Sequence, residues 1–204
     1  MTTAVLRPPA MGSEAASRAL DTGLWVFIGV ASTLFALFLS AYVMRMDGAD
    51  WSTIALPRQL WLSSALLLAG SVLLQRASAA ARAAHWPLAR SLLLAGGACA
   101  LAFLGAQLWA WQALLDARVM LAGNPAASFF YVLTALHGLH VLGGLVAWAA
   151  TMPSVSPPGD PVRAARRVAL CARYWHFLLA VWAVLFATLG WLTPDVVRFI
   201  CGKS

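Results

Sequence analysis

Charged residues are scarce in this sequence. Of its 204 residues, 62% are hydrophobic and only 10% are charged, whereas an ordinary soluble domain is about one quarter charged. So few charges cannot cover a surface that faces water, which excludes a soluble globular enzyme. The apolar composition also excludes a disordered chain, and three cysteines are too few for a disulfide scaffold. These deficits leave an integral membrane protein.

Carboxylates are absent from the long apolar stretches. All seven acidic residues lie outside them: Glu14, Asp21, Asp47, Asp50, Asp116, Asp160 and Asp195. Pumps, ion-coupled transporters and proton relays usually keep an ionisable residue inside the membrane. The two halves of the chain also show no repeated broken-helix pattern. An autonomous transporter is therefore the least favoured function.

Five apolar stretches remain between the charged residues. A helix needs about 20 such residues to cross about 30 Å of hydrocarbon, and the ten-residue alternation of outer-membrane strands is missing. The sequence thus predicts an all-α polytopic membrane protein, a bundle of five transmembrane helices, at residues 23–44, 59–75, 91–115, 127–151 and 174–194. Ser128 is the predicted cap of the fourth helix. The other predicted segments are an N-terminal tail at 1–22, a Pro-rich loop at 152–173 and a C-terminal tail at 195–204.

The basic residues predict the orientation of the bundle. With five spans, nine arginines fall on the side of the N-terminus and five basic residues on the other side. The positive-inside rule then makes the N-terminus and the 152–173 loop cytoplasmic and the C-terminus periplasmic. No segment can supply a basic fold for nucleic acid, so no nucleic-acid partner is expected. Six tryptophans near span ends are expected at the membrane interface: Trp61, Trp86, Trp109, Trp111, Trp175 and Trp191.

Three histidines lie in the predicted spans, which contain no Asp, Glu, Lys or Arg. His137 and His140 share one face of the fourth helix, and His176 lies near the cytoplasmic start of the fifth. One interpretation is metal or haem ligation, because neutral imidazole is a common metal ligand. The other is hydrogen bonding between helices, which the unequal depths of the histidines and the lack of nearby Cys, Asp or Glu favour. Cys99 is expected to be buried, whereas Cys171 and Cys201 lie outside the spans.

Small residues recur at helical spacing in two of the spans. Gly97, Gly105 and the alanines at 98, 102 and 106 line the third, and Gly138, Gly143 and Gly144 lie in the fourth. Such stripes let helix backbones approach closely in lipid. The chain has no cluster of residues typical of a catalytic site, but it has helix faces suited to contacts with other helices. This combination is typical of a subunit of a larger complex.

Three motifs resemble subunit III of the haem-copper terminal oxidases, in its short five-helix bacterial form. Residues 25–42 read WVFIGVASTLFALFLSAY, residues 128–144 read SFFYVLTALHGLHVLGG, and residues 174–182 read YWHFLLAVW. A fourth stretch, residues 103–111, reads FLGAQLWAW and is similar to the family's third helix in short bacterial members. The resemblance covers residues 25–191, and HGLHV with YWHF one helix apart is its specific part.

The resemblance implies a non-catalytic subunit in a bacterial inner membrane. It would pack on subunit I beside subunit II and support aerobic electron transport, O2 reduction and proton translocation. Haem and copper are expected in subunit I, and this chain would hold no cofactor or metal of its own, with bound phospholipid as its one expected ligand. The residues that match the family motifs would be structural or lipid-proximal, with no catalytic role: His137, His140, Trp175 and His176.

The chain departs from the family at three positions where members often carry carboxylates. Ala31, Ala169 and Leu179 stand there, so the role of those acids does not transfer. Two alternatives stay open: an accessory subunit of nitric oxide reductase, and a small haem-b electron-transfer protein using His176 with His137 or His140. The electron donor, cytochrome c or quinol, is equally open.

Overall fold

The computed structural model describes residues 11–46, 48–119, 124–156, 159–194 and 196–197. Within these residues the chain has no strand and five α-helices: α1 (Met11–Arg45), α2 (Gln59–Arg82), α3 (Trp86–Asp116), α4 (Pro125–Thr151) and α5 (Pro161–Trp191), with one 3-10 turn at Met152–Val155. Each α-helix contains a stretch long and apolar enough to cross a membrane. The prediction of an all-α, five-span membrane protein is confirmed, and the orientation of its termini stays a prediction.

Most helices extend beyond the predicted spans. α2 continues to Arg82, past the predicted end at residue 75, and α3 begins at Trp86, ahead of residue 91. The predicted spans end at the first charged residue, but arginine and alanine are good helix formers. A charge therefore ends the part of the helix suited to hydrocarbon without ending the helix.

The predicted loop at 152–173 is wrong over its second half. α5 begins at Pro161, where proline suits the first turn of a helix, and the Asp160 carboxylate accepts a hydrogen bond of 3.1 Å from the Arg163 backbone N–H. This cap starts α5 thirteen residues before Tyr174, the predicted start. The predicted tail at 1–22 is likewise helical from Met11. Residues 1–10, Pro157, Pro158, Asp195 and residues 198–204, which include Cys201, lie outside the described residues.

An asparagine caps α4 in place of the predicted serine. The side chain of Asn124 accepts a hydrogen bond of 3.0 Å from the backbone N–H of Ala126, and Ser128 lies inside the helix. The Asn124 amide also donates to the Ser52 carbonyl at 2.7 Å. The Asn124 side chain therefore caps the start of α4 and also holds the segment before α2 against that end of α4.

The five helices differ in how centrally they lie. α2 and α3 form an antiparallel hairpin and make the most extensive contact in the bundle, α5 packs against both α2 and α4, and α1 packs on α4 and α5 from outside. The interior is filled by large side chains that are essentially inaccessible: Phe103, Phe130, Trp175, Leu60, Leu67, Leu74 and Leu178.

Candidate functional site

His137 lies in the interior of the bundle, enclosed by aromatic rings. Its side chain is 0% exposed, and its ring centroid lies 5.2 Å from that of Trp182, 5.7 Å from Phe103 and 6.4 Å from Phe35. These neighbours come from α5, α3 and α1. His137 is therefore the point at which four helices meet.

His140 faces α1 one turn further along α4. Its Nδ1 lies 2.8 Å from the Leu136 carbonyl of its own helix, and only an N–H there can make that hydrogen bond. Its ring lies 5.3 Å from the Phe35 ring and 5.7 Å from the Phe27 ring. The backbone carbonyl of His140 accepts a hydrogen bond of 2.9 Å from the Tyr174 hydroxyl. Position 140 thus joins α4 to both α1 and α5.

His176 joins α5 to α2. Its Nδ1 lies 2.5 Å from the Ser71 hydroxyl, and its Nε2 lies 3.0 Å from Gln75 Oε1. An amide oxygen can only accept, so Nε2 carries the hydrogen and Nδ1 accepts from the Ser71 hydroxyl. Both ring nitrogens are engaged within the protein, which argues against His176 as a haem ligand.

The three histidines therefore lie at two separate interfaces. His137 and His140 face α1, α3 and α5, whereas His176 faces α2. Among the described residues, no three His, Cys, Asp or Glu side chains come close enough to hold a metal ion. Only the His176 side chain makes the expected hydrogen bonds to another helix within the described residues; His140 bonds its own helix, and His137 contacts its neighbours by ring packing. The arrangement favours packing between helices over a shared ligand set.

Trp175 is buried, contrary to the expected interfacial position. Its side chain is 1% exposed because α5 begins well before it and carries it into the bundle. It packs on Gly144 of α4, where an added Cβ would lie 3.3 Å from the Trp175 ring and 3.0 Å from Tyr174. The predicted close approach at Gly144 is confirmed. At Gly138 it is wrong, because an added Cβ there would meet only Leu104, at 4.0 Å.

Indole hydrogen bonds between helices are the contacts that sequence reasoning missed. Trp148 donates to the Leu93 carbonyl at 2.8 Å, Trp111 to the Thr134 hydroxyl at 3.1 Å, and Trp182 to the Ser64 hydroxyl at 2.9 Å. The sequence signal for the last two of these bonds is a tryptophan in one span and a serine or threonine in another. The pairing itself needs the tertiary structure.

A cleft opens between α1, α4 and α5 at the end of the bundle where α1 and α5 begin. Its volume is about 580 Å³, and its walls are mainly apolar: Leu20, Leu24, Phe27, Ala147, Ala150 and Leu170. Arg167 is the cationic residue in the cleft wall, and Tyr174 and Thr151 line the cleft as well. Cys171, which was expected outside the membrane-spanning part, also lines the cleft and is buried in α5.

The three positions without carboxylates lie inside helices. Ala31 in α1 is buried at 3% exposure, and Ala169 and Leu179 in α5 are half-buried. Within the described spans, Asp21 and Asp116 are the carboxylates, and each lies within the first or last turn of its span. The bundle interior described here thus contains no carboxylate.

Comparison with known proteins gives a consistent set of relatives, although no family model matches the chain. The cytochrome c oxidase subunit 3 of Synechocystis sp. is 30% identical over 170 residues, which are 80% of this chain and 72% of that relative. The quinol oxidase subunit 3 of Bacillus subtilis is 24% identical over 177 residues, 80% of this chain and 82% of that relative. The probable cytochrome c oxidase subunit 3 of Nocardia farcinica is 31% identical over 87 residues, and this match spans 43% of each chain.

Proposed function

Because this chain belongs to the cytochrome c oxidase subunit III family, we propose that it is the non-catalytic subunit III of a respiratory haem-copper oxidase. In this proposal it packs on subunit I, beside subunit II, in a bacterial inner membrane, and supports O2 reduction and proton translocation by the complex. Haem and copper belong to subunit I. The observation that carries the proposal is the match to the Synechocystis subunit over 80% of this chain.

The chemistry of the described residues supports a structural role for this chain. The histidines make contacts between helices, and the carboxylates of the described spans, Asp21 and Asp116, lie at the ends of those spans. A proton path through a membrane protein usually uses ionisable side chains in its interior. The proposal therefore assigns proton transfer to the partner subunits and helix packing to this one.

Purification from native membranes tests the assignment. A tagged chain, extracted in mild detergent, is expected to bring down subunit I together with its haem and copper, seen by mass spectrometry and a reduced-minus-oxidised spectrum. The electron-accepting subunit that co-purifies distinguishes cytochrome c from quinol as donor. A nitric oxide reductase subunit in its place would overturn the oxidase assignment.

The haem-b alternative is tested on the chain expressed alone. The proposal expects no Soret band from it. A Soret band that His140→Ala and His176→Ala both abolish would make the histidines ligands and would contradict the structural role.

The cleft between α1, α4 and α5 is the proposed place for a bound phospholipid. Its apolar walls suit an acyl chain, and Arg167, which lies near the helix ends, suits a phosphate headgroup by charge. The cleft extends from Leu20 to Phe27 along α1, about 10 Å at 1.5 Å per residue. That depth accommodates part of one acyl chain below the headgroup.

Native mass spectrometry of the purified chain tests this lipid site. We expect phosphatidylglycerol to remain bound at lower added concentrations than phosphatidylcholine, and Arg167→Gln to remove the difference. Arg90→Gln is the control, because Arg90 is an exposed arginine in the first turns of α3 and does not line the cleft. Equal loss of lipid in both variants would mean that general surface charge, not the cleft, holds the lipid.

A further inference from the structure

Three buried side chains have polar atoms without a hydrogen-bond partner within the described residues: His137, Gln107 and, at its indole Nε1, Trp175. Seven polar residues are buried, and the five hydroxyls among them are all paired: Ser63, Ser71, Ser78, Thr134 and Thr151. The other two are His137 and Gln107. Neither ring nitrogen of His137 and neither amide atom of Gln107 has a partner in the described part of the chain.

These two side chains lie on neighbouring faces of the bundle interior. Gln107 follows Phe103 by one turn on the buried face of α3, and the Phe103 ring contacts the His137 ring edge-on at 5.7 Å. His137 is 0% exposed and Gln107 is 7% exposed. The unpaired atoms of these two side chains therefore lie in the middle parts of α3 and α4, on either side of the Phe103 ring.

The chemistry of these atoms fits a small neutral ligand. A neutral imidazole offers one donor and one acceptor, and a primary amide offers two donors and an acceptor. Buried polar groups that lack protein partners are typically satisfied by internal water, which makes about three hydrogen bonds. No described carboxylate or arginine lies in the bundle interior next to them to attract an ion.

The contact of α4 with α3 beside His137 is looser than the contact of α4 with α5 at Gly144. A Cβ added at Gly138, the next residue, would meet only the Leu104 side chain of α3, at 4.0 Å. At Gly144, two turns further along the same helix, an added Cβ would meet three side chains at 3.0–3.3 Å. We infer that His137 and Gln107 bind an internal water between α3 and α4, which satisfies their ring nitrogens and amide.

Nuclear magnetic resonance on the full chain in lipid nanodiscs tests this site directly. With 15N-labelled histidine, the His137 side-chain N–H is expected to show a cross-peak to water, identified by its loss in His137→Phe. Gln107→Leu is expected to weaken that cross-peak. A cross-peak from the His137 N–H to the Gln107 amide instead of water would overturn the proposal in favour of a direct hydrogen bond. The absence of any water cross-peak would overturn it as well.

Thermal unfolding adds an independent readout. If both side chains share one water, His137→Phe and Gln107→Leu are coupled, and the shift in Tm of the double variant falls short of the sum by about 2 °C or more. The control pair is His137→Phe with Thr151→Val, since Thr151 bonds the Ala147 carbonyl of its own helix, four turns from His137. This pair is expected to be additive. Additive shifts in the test pair too would contradict a shared water.

Discussion

The α2–α3 hairpin and α1 are held in the bundle by different means. In the most apolar window of α2 and of α3, 39% of residues are buried, against 11% in α1. Gly70 and Gly96 bring the hairpin backbones together, since a Cβ added at Gly70 would lie 3.4 Å from the Gly96 carbonyl oxygen. α1 instead reaches the bundle through its aromatic rings.

The contacts of α1 are made by long side chains at intervals. Phe35 packs on His137 and His140, and an ion pair joins Asp21 to Arg166 near the start of the helix. The guanidinium of Arg173 lies 5.6 Å from the centre of the Trp25 ring. Contacts of this kind leave space between them, and clefts of about 580, 300 and 400 Å³ flank α1. Small residues let α2 and α3 pack closely, and we call their contact the sealed interface. Large side chains leave gaps where α1 meets α4 and α5, and we call that contact the spaced interface.

The largest expected effect is at the sealed interface. Gly96→Leu would place a side chain where a Cβ alone already lies 2.8 Å from Leu74 Cγ, so we expect a loss of about 3 kcal/mol of stability, as for overpacked cores. Thermal unfolding in detergent measures it. Gly105→Leu is the matched control on the same helix, because a Cβ added there meets nothing within 4 Å. Equal losses in both variants would mean that helix propensity, not the hairpin contact, sets the result.

A smaller effect is expected at the spaced interface. Phe35→Ala removes the ring that touches both histidines, and we expect a loss of about 2 kcal/mol. This loss of stability is below the usual range for truncating a core phenylalanine to alanine. The surface exposed by the truncation contacts lipid, not water, which lowers the cost of exposing it. Cysteine crosslinking between α1 and α5 should become less efficient. Leu37 is 64% exposed on the same helix, so Leu37→Ala should change neither the stability nor the crosslinking efficiency. A similar loss of stability in Leu37→Ala would mean that the contact of Phe35 with the histidines does not set the result.

The turn of the hairpin offers a stabilising change. Ala84 has a φ of 57°, a left-handed conformation that disfavours a Cβ and suits glycine. Ala84→Gly is therefore expected to raise stability by about 0.5–1 kcal/mol, seen as a higher Tm. Ala83→Gly, at the neighbouring residue with a φ of -84°, should lower it. A fall in Tm for both variants would contradict strain at Ala84.

The smallest effect concerns the end of α1. The side chain of Arg45 donates to Asp50 at 2.6 and 2.7 Å and, with a backbone hydrogen bond, holds the pKa of that carboxyl below its ordinary 3.8. The stabilisation by this pair is therefore complete above the ordinary pKa and is lost as the pH falls through the lowered one. Because both groups are exposed, salt should weaken it. The Tm difference between the wild-type chain and Asp50→Asn, measured from pH 7 to pH 3, should be small at neutral pH and shrink further below pH 4.

Some of the candidate site could be predicted from local sequence. Neighbouring positions in one helix have a fixed relation, so the shared face of His137 and His140, which both contact Phe35, and the close approach at Gly144 could be expected from spacing. Gly138, six residues before Gly144, looked equivalent in sequence but faces a loose part of α3. Which glycine meets a ring depends on the rotation of both helices. Local spacing does not contain that information.

The start of α5 shows the limit of reading charge alone. The fifth span was predicted to begin at Tyr174, directly after Arg173. The helix instead begins at Pro161, is capped by Asp160 and contains four arginines, at 163, 166, 167 and 173. The same extension buries Trp175 and Cys171 and places Arg167 at the cleft. A motif of Asp followed by Pro is a helix start that sequence could have supplied. The cleft itself could not be predicted, because its walls come from three helices.

Five membrane-spanning helices and apolar stretches free of carboxylates could both be predicted from the amino-acid sequence. Length and apolarity decide the first, because hydrocarbon tolerates only helices of sufficient length. The packing of the helices sets which helix is loosely held, which indole meets which hydroxyl and which buried polar atoms of the described residues stay unpaired. Those properties depend on the rotation and separation of helices far apart in sequence. Lipid tails are as apolar as the helix surfaces, so the hydrophobic effect does not choose one helix arrangement over another. Side-chain packing and hydrogen bonding between helices make that choice.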